Sequence, residues 1–215
     1  MTNDDRQLPT TYFQRQDERA DEEFYTTPRL VVHIDDTAIR ALTALFAKLL
    51  PPQGTYLDLM SSWRSHLPDE LEPARVVGLG MNAAEMADNP QLDEYVLHNL
   101  NEVPTLPFAT AEFEAVVCTV SVQYMTKPIA IFREVNRVLK PDGFFIVSFS
   151  NRCFPTKAIT AWLAGGDRDH LGLVQHYFAA SGNWSEPKAA ANTPRHADPL
   201  YVVWAQKVAE AVLVD

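Results

Sequence analysis

The chain reads as an α/β protein built around a largely parallel sheet, and three observations predict it. Ala115-Val116-Val117-Cys118-Thr119-Val120 carries almost no polar alternation, as a strand buried on both faces requires. Short apolar runs alternate along the chain with segments whose apolar residues recur at helical spacing. Turn formers such as Pro51-Pro52-Gln53-Gly54 and Lys140-Pro141-Asp142-Gly143 separate the two kinds of segment. Strand alternating with helix implies right-handed crossovers and helices on both sheet faces, a three-layer sandwich.

Composition narrows the class. A chain of 215 residues suits one domain whose core needs no staples. Apolar residues make up 47% and charged residues 21%, as in ordinary soluble proteins. No apolar run approaches the ~20 residues of a membrane helix. Met1-Thr2-Asn3-Asp4-Asp5-Arg6 lacks the basic-then-apolar order of a signal peptide. Cys118 and Cys153 have neither metal nor redox spacing and read as reduced thiols, so a cytoplasmic location is expected. The net charge of −10, with no cluster of Lys and Arg, argues against nucleic acid as partner and for a small molecule or protein.

The elements follow in order. Residues 1–23 are polar and mixed in charge, and read as a solvated N-terminal arm before a domain spanning 24–215. Phe24-Tyr25-Thr26-Thr27-Pro28-Arg29 is an extended aromatic segment. A helix follows, capped by Asp35 or Asp36, with Ile39, Leu42, Leu45, Phe46, Leu49 and Leu50 on one face. Tyr56 to Leu59 is the first strand and Asp69 to Ala74 a polar connector. Arg75 to Gly80 is the second strand. It opens into a short helix with Asn82 as N-cap and Glu85 placed for a capping box, stopped by Asn89-Pro90. Tyr95 to Leu100 is a third strand, and the apolar run at 115–120 the fourth. A helix on Ile129, Phe132, Val135, Val138 and Leu139 leads through the Lys-Pro-Asp-Gly turn into a fifth strand, Phe144 to Ser150. A further helix runs from about Asp169 to Ala180, with Gly182 at its C-cap, and Tyr201 to Ala205 is a late strand. Residues 153–164 and 184–196 match no pattern.

Phe113 to Cys118, Gln123-Tyr124-Met125 and Ile131 to Gly143, with its Arg137-Val138-Leu139-Lys140-Pro141-Asp142-Gly143 signature, resemble the class I S-adenosylmethionine-dependent methyltransferases, of the small-molecule kind often called type 11. The resemblance covers roughly residues 50–150. It implies a Rossmann-like, mainly parallel seven-stranded sheet and S-adenosylmethionine as cofactor. In that family an acid ends the first strand and a glycine-rich turn follows, with helix amides meeting the cofactor carboxylate. Here Asp58 matches the acid, but Met60, Ser62 and Arg64 stand on the glycine positions. A second family acid, which binds the ribose hydroxyls, falls on Gly80. Asn82 offers one acceptor nearby, though helix capping explains it equally well. A third acid, near the adenine amino group, falls on Asn99 and Asn101, whose amide oxygens can still accept. The resemblance thus assigns the cofactor to Asp58, Met60, Ser61, Ser62 and Trp63, to Gly80, Met81 and Asn82, to Asn99, Leu100 and Asn101, and to Thr119 and Ser121.

Methyl transfer from a sulfonium needs placement more than acid–base chemistry. The catalytic candidates are Tyr124, after the fourth strand, and His33, in a segment that often lids such pockets. Tyr124 reads equally as a packing aromatic. His33 with Asp35 forms a His–carboxylate pair for proton removal, or is a lid histidine beside a helix cap, which is the commoner case. His170 and His176 do not have the spacing of a helical metal pair, so no metal site is proposed. The leading function is therefore a methyltransferase acting on a small molecule. The alternative is a non-catalytic module of the same fold that binds a protein or another ligand. A nicotinamide oxidoreductase ranks lower, because Gly78-Leu79-Gly80 lies on the wrong strand for that fingerprint and lacks its third glycine.

Overall fold

A computed structural model describes residues 8–208. Its strands are β1 (Thr55–Leu59), β2 (Arg75–Gly80), β3 (Glu94–Leu97), β4 (Phe113–Thr119), β5 (Leu139–Phe149), β6 (Lys188–Asn192) and β7 (Leu200–Gln206). They form one seven-stranded sheet in the order β3-β2-β1-β4-β5-β7-β6. β1 to β5 pair in parallel, and β7 runs antiparallel between β5 and β6. The helices are α1 (Asp21–Tyr25), α2 (Asp36–Leu49), α3 (Ala83–Ala87), α4 (Pro128–Val138), α5 (Thr160–Ala164) and α6 (Asp167–Ser181).

The sheet is covered on both faces, as its apolar strands require. On one face Ala38, Leu42 and Phe46 of α2 pack with Tyr56, Val76, Val117 and Ile146. On the other, Phe132 and Val135 of α4 and Tyr177 and Phe178 of α6 pack with Leu57, Val77, Val116 and Phe145. Leu57 and Tyr56 fall into opposite layers because successive side chains in a strand point to opposite faces. Each large side chain so buried contributes about 1.5–3 kcal/mol. α2 starts where Asp35 accepts from Thr37 N and Ala38 N, both at 2.9 Å. β1 has β2 on one side and β4 on the other, so strand order reverses at its edge. Open α/β sheets bind ligands at such a point, beyond the carboxyl ends of the strands.

Several boundaries differ from the sequence reading. No helix forms between β1 and β2; residues 60–74 are irregular, and Leu67 and Leu71 cover the sheet there instead. β3 stops at Leu97 rather than Leu100, because Asn99 O accepts from Val103 N and turns the chain. β5 begins at Leu139 rather than Phe144, since Leu139 pairs with Phe113 before a bulge. β6 had no signal in the sequence; it is an exposed edge with no apolar stripe to reveal it.

The start of the chain also departs from a solvated arm. Residues 1–7 lie outside the described residues, but the side chains of Arg15 and Asp21 are buried. Lys157, fully buried, explains this: its Nζ lies 3.1 Å from Asp21 Oδ1 and donates to Arg19 O at 2.7 Å. Arg15 Nη1 meets Asp21 at 2.7 Å, and Asp17 N donates to Thr156 O at 2.8 Å. A buried ammonium needs such partners.

Candidate functional site

Beyond the carboxyl ends of β1, β2 and β4 lies a cleft closed on its outer side by residues 21–33 and Phe154. Every candidate residue named above lines it: His33 and Tyr124; Asp58, Met60, Ser61, Ser62 and Trp63; Gly80, Met81 and Asn82; Asn99, Leu100 and Asn101; Thr119 and Ser121.

The loop after β1 keeps a sharp turn without glycine. Met60 has φ 59, in the left-handed region, and packs partly against the core. Val120, just past β4, has φ 45, and His66 has φ 58. Strained backbone of this kind persists only where its surroundings hold it. Here Ser61 N donates to Leu79 O at 2.8 Å, tying the loop to β2, and Val120 N donates to Ser148 O at 2.8 Å. Asp58 supplies the second tie. Its Oδ2 accepts from Ser61 Oγ at 2.6 Å and Ser65 Oγ at 2.7 Å. Burial pushes the Asp58 carboxyl up to about 6, and the two serines oppose that shift. Asn89 Nδ2 extends the network, donating to Ser62 O at 3.0 Å and Ser65 Oγ at 2.9 Å.

The loop also accounts for Gly80. A Cβ built there would lie 2.4 Å from Ser61 O, a backbone atom that cannot yield cheaply. The acid that the resemblance places at this strand end has no room.

The third group of residues serves the cover as well as the cleft. Asn101 Nδ2 donates to Asp21 Oδ2 at 2.9 Å and Tyr124 O at 3.0 Å, while Oδ1 accepts from Thr126 N at 2.8 Å and Thr126 Oγ1 at 3.0 Å. Asn99 Nδ2 donates to Glu22 Oε1 at 2.8 Å, and its Oδ1 accepts from Asn101 N at 3.0 Å. Asn82 caps α3 through Glu85 N at 3.0 Å and donates to Tyr25 O at 2.8 Å.

His33 and Asp35 do not pair. Asp35 is committed to the α2 cap and to Asp198 N at 2.7 Å. His33 instead packs edge-on against Phe154, with ring centroids 5.3 Å apart. Burial holds its imidazole below the ordinary value; the charge of Glu85 opposes that shift and Arg29 adds to it. Tyr124 Oη accepts from Phe154 N at 2.8 Å, and burial pushes the phenol up to about 12 against the opposing hydrogen bonds from Phe154 N and Gln123. Arg29 caps this aromatic end, its guanidinium 4.3 Å from the Phe24 ring centroid and 5.3 Å from that of Phe154.

Sequence reasoning missed Asp21, Glu85 and Phe154 as cleft residues. Asp21 was hidden in a charge run and Phe154 in a stretch without pattern. Glu85 matched a capping box, but its carboxylate accepts from Arg29 N at 2.7 Å and Ser62 Oγ at 2.6 Å.

Residues 64–147 match the family model described as methyltransferase domain, a match that begins just after the strained loop. The chain is 27% identical over 110 residues to the biotin biosynthesis bifunctional protein BioHC of Teredinibacter turnerae; the match covers 51% of this chain and 17% of that protein. The chain thus spans about a sixth of that relative's length. Among solved structures it is similar to the PH0226 protein of Pyrococcus horikoshii, with TM-score 0.56, 16% identity, and coverage of 86% of this chain and 98% of that one. A chain of the Haloferax volcanii complex containing the Trm112 methyltransferase activator matches with TM-score 0.57 and 13% identity, covering 81% and 91%. The [4+2]-cyclase SpnF matches with TM-score 0.56 and 14% identity, covering 84% and 89%. These structural likenesses establish a Rossmann-like fold of methyltransferase type, and the match to the methyltransferase domain lies within it over residues 64–147.

Proposed function

From this fold and the methyltransferase-domain match over residues 64–147, we propose that this chain is an S-adenosylmethionine-dependent methyltransferase that acts on a small molecule in the cytoplasm. The observation that carries the reading is the single cleft at the switch point of the sheet, which gathers all the residues the resemblance assigns. The residues fit the cofactor chemically. Thr119 Oγ1 is buried in the cleft wall without a hydrogen-bond partner. Asp58 holds both serines through one oxygen, Oδ2, so Oδ1 stays available to a donor. Gly80 keeps its backbone bare beside Ser61 O.

In this reading Asp58, Met60, Ser61, Ser62 and Trp63 form the floor, with Gly80, Met81, Asn82, Thr119 and Ser121 beside them. Asn99, Leu100 and Asn101 close the far end; Asn99 Oδ1 accepts one protein donor and can take another. Bound there, S-adenosylmethionine supplies an electrophilic methyl on a sulfonium. The chain's own tasks are to hold the substrate in line, exclude water and take one proton. Tyr25, Tyr124 and Phe154 give the substrate end of the cleft an aromatic wall, and the Arg29 guanidinium lies over the rings of Tyr25 and Phe154 there. His33, neutral at pH 7 because burial lowers its affinity for protons, accepts the proton of the attacking group. Tyr124, in the cleft wall, contacts the substrate. The acidic charge of the chain supports a small molecule over nucleic acid. Residues 24–215 act as the catalytic domain and 1–23 as an N-terminal arm, whose Asp21 helps to cover the cleft.

Calorimetric titration with S-adenosylhomocysteine tests the reading. We expect one saturable site, and a thermal midpoint that rises with ligand, since 100 Kd of ligand adds about 2.7 kcal/mol. A folded sample that takes up neither S-adenosylhomocysteine nor S-adenosylmethionine overturns it.

A further inference from the structure

We infer that Glu85 supplies the carboxylate that recognises the ribose diol of the cofactor, moved from the end of β2 to α3. The inference rests on the cofactor reading above. The strand-end position is closed to any side chain, because a Cβ at Gly80 meets Ser61 O at 2.4 Å. That loop carbonyl is fixed in turn by the bond from Ser61 N to Leu79 O.

Glu85 stands at the third position of α3, where a capping-box glutamate folds back onto the N-cap amide. It does not do so. Its backbone N–H completes the cap with Asn82, and its carboxylate turns into the cleft. There Oε1 accepts from Arg29 N and Oε2 from Ser62 Oγ. Neither partner is a side-chain cation, although the residue is only 8% exposed. A buried carboxylate needs more than two neutral donors to offset its lost hydration. With roughly four acceptor sites it retains about half its capacity.

The two anchors lie on opposite walls, one on the cover and one on the β1 loop, so the carboxylate is held rigidly between them. A fixed carboxylate with one spare site on each oxygen matches two adjacent hydroxyl donors. Hydrogen bonds to an ionised acceptor are the strong kind. The chain thus keeps diol recognition while its loop occupies the usual place for the acid.

The test compares S-adenosylhomocysteine with its 2′-deoxy and 3′-deoxy analogues by calorimetry, on the parent and on Glu85→Ala and Glu85→Gln. For the parent each missing hydroxyl should weaken binding about 10- to 100-fold. For Glu85→Ala the ratio between parent ligand and analogue should shrink to about threefold or less, and Glu85→Gln should fall between. A purely structural role weakens all three ligands alike and leaves the ratios unchanged. So does a Glu85 that pairs with the amino group of the ligand rather than its hydroxyls. Unchanged ratios therefore overturn the inference while leaving the cofactor reading intact. Failure of the parent to bind S-adenosylhomocysteine overturns both. If Glu85→Ala does not fold, Glu85→Gln, which keeps an acceptor and the side-chain volume, decides the outcome.

Discussion

Replacing Met60 isolates the energetics of a sharp, glycine-free turn after β1. A non-glycine residue at φ 59 carries about 1–2 kcal/mol of backbone strain. Met60 is only partly buried against the core, so its side chain returns a part of the about 1.5–3 kcal/mol that full burial is worth. Met60→Ala removes the side chain and keeps the strain, and should cost about 1–2 kcal/mol. Met60→Gly removes both. Against the strain relieved stands about 0.4–1 kcal/mol of added freedom in the unfolded chain. Glycine at 60 should therefore exceed alanine by about 0.5–1 kcal/mol, or about 1–4 °C in thermal midpoint at this chain length. An exposed helical site provides the control: at Ala44 in α2, glycine should be worse by about 1 kcal/mol. Urea denaturation reads both pairs as shifts in midpoint at constant slope. Alanine at 60 as stable as glycine, with the control behaving as stated, refutes the claim that this loop stores backbone strain.

Three further outcomes are expected. The Asp58 carboxyl is raised from 3.8 to about 6 in the fold, so the native state binds more protons than the unfolded chain between those values. Stability from this group is present below about pH 4, falls as pH rises to about 6, and stays low above. Asp58→Asn, which retains an acceptor for the serines, should therefore gain on the parent by about 2–3 kcal/mol between pH 4 and pH 7, and an unchanged difference in urea midpoint across that range counts against the burial argument. Lys157→Ala removes a fully buried cation from Asp21 and should cost about 3 kcal/mol or more; a loss under about 1 kcal/mol would mean that the start of the chain is not anchored there. In a proton NMR titration His33 should titrate below 6.5, Asp35→Asn should leave it nearly unmoved, and Glu85→Gln should lower it further, because the Glu85 charge is what raises it; a larger response to Asp35 would restore the pairing that the geometry denies.

What the sequence discloses divides along a physical line. β4 and the α4–β5 turn are legible because burial on both faces and helical periodicity leave marks in residue type. The cleft residues that follow β1, β2, β3 and β4 are legible too, since each group comes just after a strand that could be found, whereas Asp21, Glu85 and Phe154 are not. Partnerships are not. Glu85 has the spacing of a capping box and Asp35 that of a histidine partner, but a carboxylate goes to whichever donor the tertiary fold brings closest. Likewise Lys157, in a stretch with no pattern, turns out to determine where residues 15–21 lie, and nothing local to either segment records that pairing.

The two missing glycine-loop features then reduce to one question, which is where a Cβ can stand. At Met60 the Cβ is merely strained, and the loss is about 1–2 kcal/mol, small beside the packing and hydrogen bonds that hold the turn. At residue 80 the Cβ meets a fixed carbonyl, so the loss has no such bound and glycine is compulsory. The two positions are coupled, because the loop that Met60 turns is the one that puts Ser61 O over Gly80. A chain that admits methionine at the first position in this conformation therefore gives up the acid at the second. Restoring it by Gly80→Asp should not improve binding of S-adenosylhomocysteine. It should displace the loop and weaken binding, by calorimetry, at least as much as Asp58→Ala does. A Gly80→Asp variant that binds more tightly than the parent would show that the loop yields, and that the coupling between the two positions is absent.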